Sequence, residues 1–194
     1  MEIKTLLITG FDPFDAEKVN PAWEAVKLLP ERIGGYTLCK LEIPTVFGTG
    51  AEKVLCKAET IKPDVILCIG QAGGRSVVTP ERLAINIRDA RIDDNAGNRP
   101  IESPVVSGGP AAYFATVPVR AIAESIAAEG IPASVSNTAG TFVCNDVLYT
   151  LLHKFSGTAV RVGFIHVPFL PEQGNPSMPL ADTVRALEAA IRVL

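Results

Sequence analysis

Val65-Ile-Leu-Cys-Ile69 is an unbroken apolar run, entered through Pro63-Asp64 and left through Gly70-Gln-Ala-Gly-Gly74. A strand with one wet face alternates apolar and polar residues. A strand covered on both faces does not, and such runs belong to sheets held between two layers of helix. The rest of the chain supplies those layers. Short strands are expected over residues 4–9, 36–43 and 133–137, and from Val160 to Val167, where Pro168 stops the run. Between them lie helical stretches. Asn20-Pro21 suits an N-cap and first helical position for a helix to about Leu29. Residues 51–62 are apolar at 51, 54, 55, 58 and 61, and residues 118–128 also read as helix. The last helix carries Leu180, Val184, Leu187, Ile191 and Leu194 along one stripe. Residues 78–92 alternate in strand fashion through Leu83-Ala-Ile-Asn-Ile87, and 98–116 read as an irregular excursion or hairpin. The predicted fold is a single three-layer α/β/α domain over residues 1–194, with a mostly parallel twisted central sheet.

Charge and composition narrow the function. There are 18 basic against 21 acidic residues, a net charge of −3, and no basic run, which speaks against nucleic acid. No apolar stretch reaches the roughly 18 residues a bilayer span needs. The short apolar run at the N-terminus feeds straight into Gly10 and has the wrong build for a signal peptide. Cys39, Cys56, Cys68 and Cys144 form no Cys-x-x-Cys pair. The first three read as reduced core thiols of a cytoplasmic protein, with no zinc motif. Asp93-Asp94-Asn95 lacks the later glutamate of a calcium loop. The glycine-rich stretch from Gly70 to Ser76 lacks a Gly-Lys-Ser/Thr ending and the Gly-x-Gly-x-x-Gly spacing. No cofactor and no metal is expected.

The chemistry is concentrated in Ser136-Asn-Thr-Ala-Gly-Thr-Phe-Val-Cys144-Asn-Asp-Val-Leu-Tyr149. This reads as a strand end, a glycine turn and the first turn of a helix, with a cysteine where the helix opens. Free N–H groups there carry partial positive charge. They favour thiolate and hold a negative oxygen, so one segment offers a nucleophile and half an oxyanion site. A thiol nucleophile needs a base, most often imidazole, and the chain has two histidines. His153 lies on the helix that Cys144 opens, roughly 13 Å further along its axis, out of reach. His166 lies at the carboxyl tip of a strand, the rim where open parallel sheets bind ligands. The group that orients the imidazole stays open among Glu81, Asp89, Asp93, Asp94, Asp146 and Glu172.

Several blocks in order resemble one family. They are Gly10-Phe-Asp-Pro-Phe14 with Asn20-Pro21, Gly70-Gln-Ala-Gly-Gly-Arg75, Thr79-Pro-Glu-Arg-Leu-Ala-Ile-Asn86, Asp89-Ala-Arg-Ile92 with Asp94-Asn95, the Cys144 block, and Gly163-Phe-Ile-His-Val-Pro168 with Pro171-Glu-Gln173. The sequence is similar to the pyrrolidone-carboxylate peptidases, or pyroglutamyl peptidases I. The resemblance implies a cysteine peptidase acting on N-terminally pyroglutamylated peptides, assembled as a homotetramer. It places the nucleophile on Cys144, the base on His166, the orienting acid on Glu81, and an oxyanion arginine on Arg91 beside the Cys144 N–H. It places the ring pocket on Phe11, Phe14, Thr45, Gln71, Ile92, Phe142 and Val143. The family often has two glycines where this chain has Asp15-Ala16, a change expected to stiffen the loop beside the pocket.

Two other readings compete. A nucleoside phosphorylase-like transferase would use the glycine-rich loop for phosphate and keep its activity after thiol alkylation. A non-catalytic module that binds pyroglutamyl groups would have an unreactive Cys144.

Overall fold

The computed structural model describes residues 3–194; Met1 and Glu2, the first residues of the expected domain, lie outside the described residues. The strands are β1 (Lys4–Phe11), β2 (Arg32–Ile33), β3 (Tyr36–Ile43), β4 (Val65–Gln71), β5 (Thr79–Pro80), β6 (Leu83–Ile85), β7 (Ala112–Phe114) and β8 (Arg161–Val167). The helices are α1 (Pro21–Leu28), α2 (Thr49–Ile61), α3 (Val119–Ala128), α4 (Val143–Lys154) and α5 (Leu180–Arg192). One sheet runs in the order β2-β3-β1-β4-β8-β5. β3, β1, β4 and β8 are mutually parallel, while the short edge strands β2 and β5 are antiparallel to their neighbours. The α/β/α architecture with a mostly parallel sheet is therefore present.

Side chains alternate between the two faces of a strand, and the core divides accordingly. Leu6 and Ile8 of β1, Val65, Leu67 and Ile69 of β4, and Ile165 and Val167 of β8 pack with residues of α1, α3 and α5. Leu7 and Phe11, Ile66 and Cys68, and Val162 and Phe164 pack on the other face with residues of α2 and α4. The parity puts Gly70 and His166, paired in register, on the α2/α4 face. α4 brings Cys144 to that same face.

Gly10 does not turn the chain as the sequence suggested. β1 continues through it to Phe11, and a Cβ there would stand 2.6 Å from Trp23 Cα, so the glycine lets α1 lie against the strand. Residues 133–137 form no full strand. They run beside residues 78–82 with Val78 N–H donating to Pro132 O, Ser134 N–H to Val78 O, Ser136 N–H to Pro80 O and Arg82 N–H to Ser136 O. Pro80 has no N–H for the missing rung, and only isolated bridges at Ala133 and Ser136 remain. The alternation expected over 78–92 also breaks. β5 stays on the main sheet, whereas β6 leaves it and pairs with β7 from the 98–116 excursion. Of the three presumed core thiols only Cys68 is buried; Cys39 is half-buried and Cys56 exposed.

Asn145 fastens α4 to this second sheet. Its Oδ1 accepts Ile85 N–H at 3.0 Å, and its Nδ2 donates to Ile85 O and Ile87 O at 2.9 and 3.0 Å. The side chain is fully buried and stands in for a neighbouring strand. Asn145→Ala leaves an N–H and two carbonyls without this partner, and is expected to cost roughly 2–4 kcal/mol of stability. The midpoint of urea unfolding at neutral pH checks this; an unchanged midpoint would show that the segment re-pairs without it.

Candidate active site

The carboxyl ends of β4 and β8, the loops after β1 and β4, and the start of α4 enclose a cavity of about 500 Å³. Cys144 and His166 both line it, with Phe14, Gln71, Arg75, Arg91, Ile92, Phe142 and Phe169. The thiol sits over β4. A Cβ on Gly70 would stand 3.0 Å from Cys144 Sγ and 2.7 Å from Phe164 Cζ, so only glycine leaves room for the sulfur. Gly70 is the register partner of His166, whose ring lies 4.7 Å from the Phe164 ring, centroid to centroid.

β5 leads into Glu81. Thr79 pairs opposite His166, and Glu81 N–H donates to Phe164 O at 2.9 Å, which aims the Glu81 side chain at the same face as the imidazole. Glu81 Oε1 is 2.7 Å from His166 Nδ1, and both side chains are buried. Of the other carboxylates considered, Asp89 lines the cavity without bonding to His166, and Asp94 and Asp146 are held elsewhere. Asp146 Oδ1 accepts Arg88 Nε–H at 2.6 Å and its Oδ2 accepts Gly48 N–H. Asp94 is held well below the usual carboxylate range: against the upward push of burial, it accepts from the Asn98 side chain and the N–H groups of Phe47, Asn98 and Ala96. His153 Nδ1 lies 2.8 Å from the Tyr113 hydroxyl.

Proton states follow from burial. His166 is pushed below its ordinary value, by burial first and against the pull of Glu81, so its imidazole is neutral at pH 7. Burial would raise Glu81. Donation from His166 and Arg75 outweighs this and keeps the carboxylate ionised. Cys144 departs from the sequence reading. Burial, then the charge of Glu81, pushes its thiol up to about 12, outweighing the lowering by Arg75 and by its own backbone N–H. The resting site is a neutral thiol beside a neutral imidazole. Phe142 is the N-cap of α4, and no side chain caps the helix among the described residues. The N–H groups at its start therefore remain free to hold an oxyanion.

The predicted pocket residues divide into two groups. Phe14, Gln71, Ile92 and Phe142 reach the cavity, with the Phe14 and Phe142 rings 6.1 Å apart. Phe11, Thr45 and Val143 are buried behind its wall. Arg91 lines the cavity and makes no ion pair among the described residues. Two contributors were missed by the sequence reading. Phe169 closes over Gly73, and Arg75 grips Glu81 at 2.6 Å. Both lie inside quoted blocks or next to them, but neither has a spacing that reveals a role.

The family model for pyroglutamyl peptidase matches residues 4–194. The chain belongs to the pyroglutamyl peptidase family. A pyrrolidone-carboxylate peptidase of Levilactobacillus brevis is 56% identical over 97% of this chain and 96% of its own length. One from Erwinia tasmaniensis is 52% identical over 98% and 92%. The crystal structure of pyroglutamyl peptidase I from Bacillus amyloliquefaciens superposes with a TM-score of 0.95 at 46% identity, covering 98% of this chain and 96% of that one. That of the Thermococcus litoralis pyrrolidone carboxyl peptidase gives 0.93 at 38% identity, covering 98% and 92%. The transferase reading is not favoured. In the glycine-rich loop of this peptidase, Gly70 and Gly73 fit against a thiol and two phenylalanine rings.

Two outcomes follow from the geometry. Gly70→Ala drives a methyl into Sγ and the Phe164 ring, and kcat/KM is expected to fall by roughly 100-fold or more; a near-normal rate would show that the thiol has room to move. Alkylation of Cys144 by iodoacetamide, followed by peptide mass mapping because Cys39 and Cys56 also react, is expected to accelerate continuously with pH through 8. A plateau between pH 6 and 8 would reveal a resting thiolate instead.

Proposed function

We propose that Cys144 is the nucleophile, His166 its base and Glu81 the group orienting that base, in hydrolysis of the amide bond after an N-terminal pyroglutamyl residue. The enzyme is a pyroglutamyl peptidase I, a cysteine peptidase. The observation that carries the assignment is the Glu81–His166 bond of 2.7 Å in the cavity that also holds the Cys144 thiol. Because both partners start neutral, the proton leaves Sγ for His166 Nε2 as sulfur attacks the carbonyl carbon. Glu81 keeps the Nδ1–H and stabilises the imidazolium that forms. The carbonyl oxygen becomes an oxyanion held by the Cys144 N–H and Arg91. Its collapse breaks the C–N bond, and His166 returns the proton to the departing amine. Water, deprotonated by the same imidazole, then cleaves the thioester and frees pyroglutamate and thiol.

The pocket suits the substrate. Pyroglutamate is a flat neutral lactam with one N–H and one C=O. Phe14, Phe142 and Ile92 supply apolar walls, with Phe11, Thr45 and Val143 behind them. The backbone of Gln71 offers an N–H and a C=O to the ring, which discriminates against substrates that leave such groups unpaired. The substrate's amine is already acylated and needs no anionic partner. The protein acts as one domain, works in the cytoplasm and assembles as a homotetramer in this reading. An exposed Cys56 thiol suits a reducing compartment. Ile101 and Phe114, 72% and 71% exposed, offer apolar surface for an assembly to cover. Among the described residues no helix is long and apolar enough to cross a membrane.

The test compares wild type with Cys144→Ser on a pyroglutamyl amide of a chromogenic amine under reducing conditions. Wild-type turnover and a loss on the order of 10⁴-fold or more in the variant are expected. Undiminished turnover by the variant would remove Cys144 as nucleophile. An inert but folded wild type would remove the activity.

A further inference from the structure

Arg75 sits where three parts of the active site meet. It follows Gly73-Gly74 in the loop after β4. Gly73 admits no Cβ, which would stand 2.2 Å from Phe169 Cζ, and Gly74 is left-handed at φ +84°. The turn closes with Arg75 N–H donating to Ala72 O and sends the side chain back over β5. Its Nη1 donates to Thr79 Oγ1 at 2.5 Å and to Glu81 Oε1 at 2.6 Å, and its Nη2 donates to Thr138 O at 3.0 Å. Thr79 and Glu81 belong to the chain that carries the acid. Thr138 belongs to the chain that leads into Cys144.

The carboxylate is held asymmetrically. Oε1 takes both Arg75 and His166 Nδ1, while Oε2 is buried with no partner among the described residues. The position of Oε1 therefore sets the orientation of the imidazole, and the guanidinium fork sets the position of Oε1. We propose that Arg75 is a positioning residue of the peptidase: it fixes Glu81 against His166 and ties that pair to the Cys144 segment. This rests on the catalytic roles assigned above and adds to them a cation that none of those roles includes.

Electrostatics agree with the geometry. A cation on Oε1 opposes protonation of both Glu81 and His166, and it lowers both. The other titratable and charged groups around the pair are Cys68 and Cys144 on the α2/α4 face, and Asp15, Glu17, Asp89 and Arg91 on the cavity wall. None of them makes a hydrogen bond to Glu81, so Arg75 is the cation in contact with the carboxylate. Its side chain is 29% exposed, which screens the effect without removing it.

The experiment is the pH profile of kcat/KM on the chromogenic pyroglutamyl amide for wild type, Arg75→Gln and Arg75→Lys. Removing the cation lets both Glu81 and His166 protonate more easily. The acid limb of Arg75→Gln is expected to move up by about one pH unit, with kcat roughly 10- to 100-fold lower and KM nearly unchanged. Lysine keeps the charge but cannot reach three acceptors as a fork does. Arg75→Lys should keep the wild-type limb and still lose kcat. A wild-type limb in Arg75→Gln, or a rise in KM with kcat unchanged, would overturn the proposal. If Arg75→Gln does not fold, Arg75→Lys decides: a wild-type limb with reduced kcat supports it, and a shifted limb or full kcat overturns it. Wild type without turnover would instead sink the assigned reaction itself.

Discussion

The register between β4 and β8 is the constraint on which the site depends. Gly70 stands opposite His166, and both point at the layer of α2 and α4. A strand has a side-chain period of two, so a slip of one residue would turn His166 under α3 and α5 and bring Ile165 or Val167 to the thiol. The apolar alternation forbids it. Ile165 and Val167 are buried on one face, Val162 and Phe164 on the other, and no polar residue breaks either set until the strand end. Packing of the core and placement of His166 are thus one requirement. The antiparallel edge strand β5 places Glu81 by the same rule, since Thr79 pairs with His166 and Glu81 N–H donates to Phe164 O.

Burial then decides how such a site works. A cysteine at a helix N-terminus is usually taken to be activated by the helix. Here desolvation and the charge of Glu81 outweigh that and keep the proton on sulfur. The same desolvation keeps His166 neutral and therefore free to accept a proton. In the proposed mechanism the proton moves during attack, and the ion pair forms only when the substrate's carbonyl brings a developing negative charge to the free N–H groups of α4. Charge separation is confined to the step that needs it, and the resting thiol is less exposed to adventitious oxidation.

Much of this was legible in the sequence, for identifiable reasons. The unbroken run at 65–69 announced a doubly covered strand, and Pro168 after the run at 160–167 put His166 at a strand tip. Asn20 and Pro21 marked α1, where the Asn20 side chain accepts Ala22 N–H. Features that depend on two distant segments were not legible. Pro80 breaks a ladder whose other side lies far along the chain, at Ser134 to Ser136, so the strand at 133–137 was over-read. Spacing left six carboxylates open because Glu81 meets His166 only through β5. Arg75 stayed hidden for the same reason: its partners, Thr79, Glu81 and Thr138, come together only in the fold. The thiol's state was misjudged because a helix terminus is visible in sequence and the desolvation around it is not.

The first loop shows how the wall of the pocket is kept in place. Asp15 and Ala16 both adopt the left-handed region, at φ +54° and +60°, where non-glycine residues cost roughly 1–2 kcal/mol each. Such strain persists only where the surroundings over-determine the backbone, and here they do. Thr45 N–H donates to Asp12 Oδ1 at 2.7 Å, Asn20 Nδ2 to Asp12 O, and Asn95 Nδ2 to Pro13 O at 2.9 Å. Glu17 N–H closes onto Phe14 O, and Gln173 Nε2 reaches Val19 O from the loop after β8. Phe14 is pinned between these ties with its ring against Phe142. Thr45, though behind the wall, is therefore part of what shapes it. The strain at 15 and 16 is thus offset by the ties that hold the Phe14 ring against Phe142.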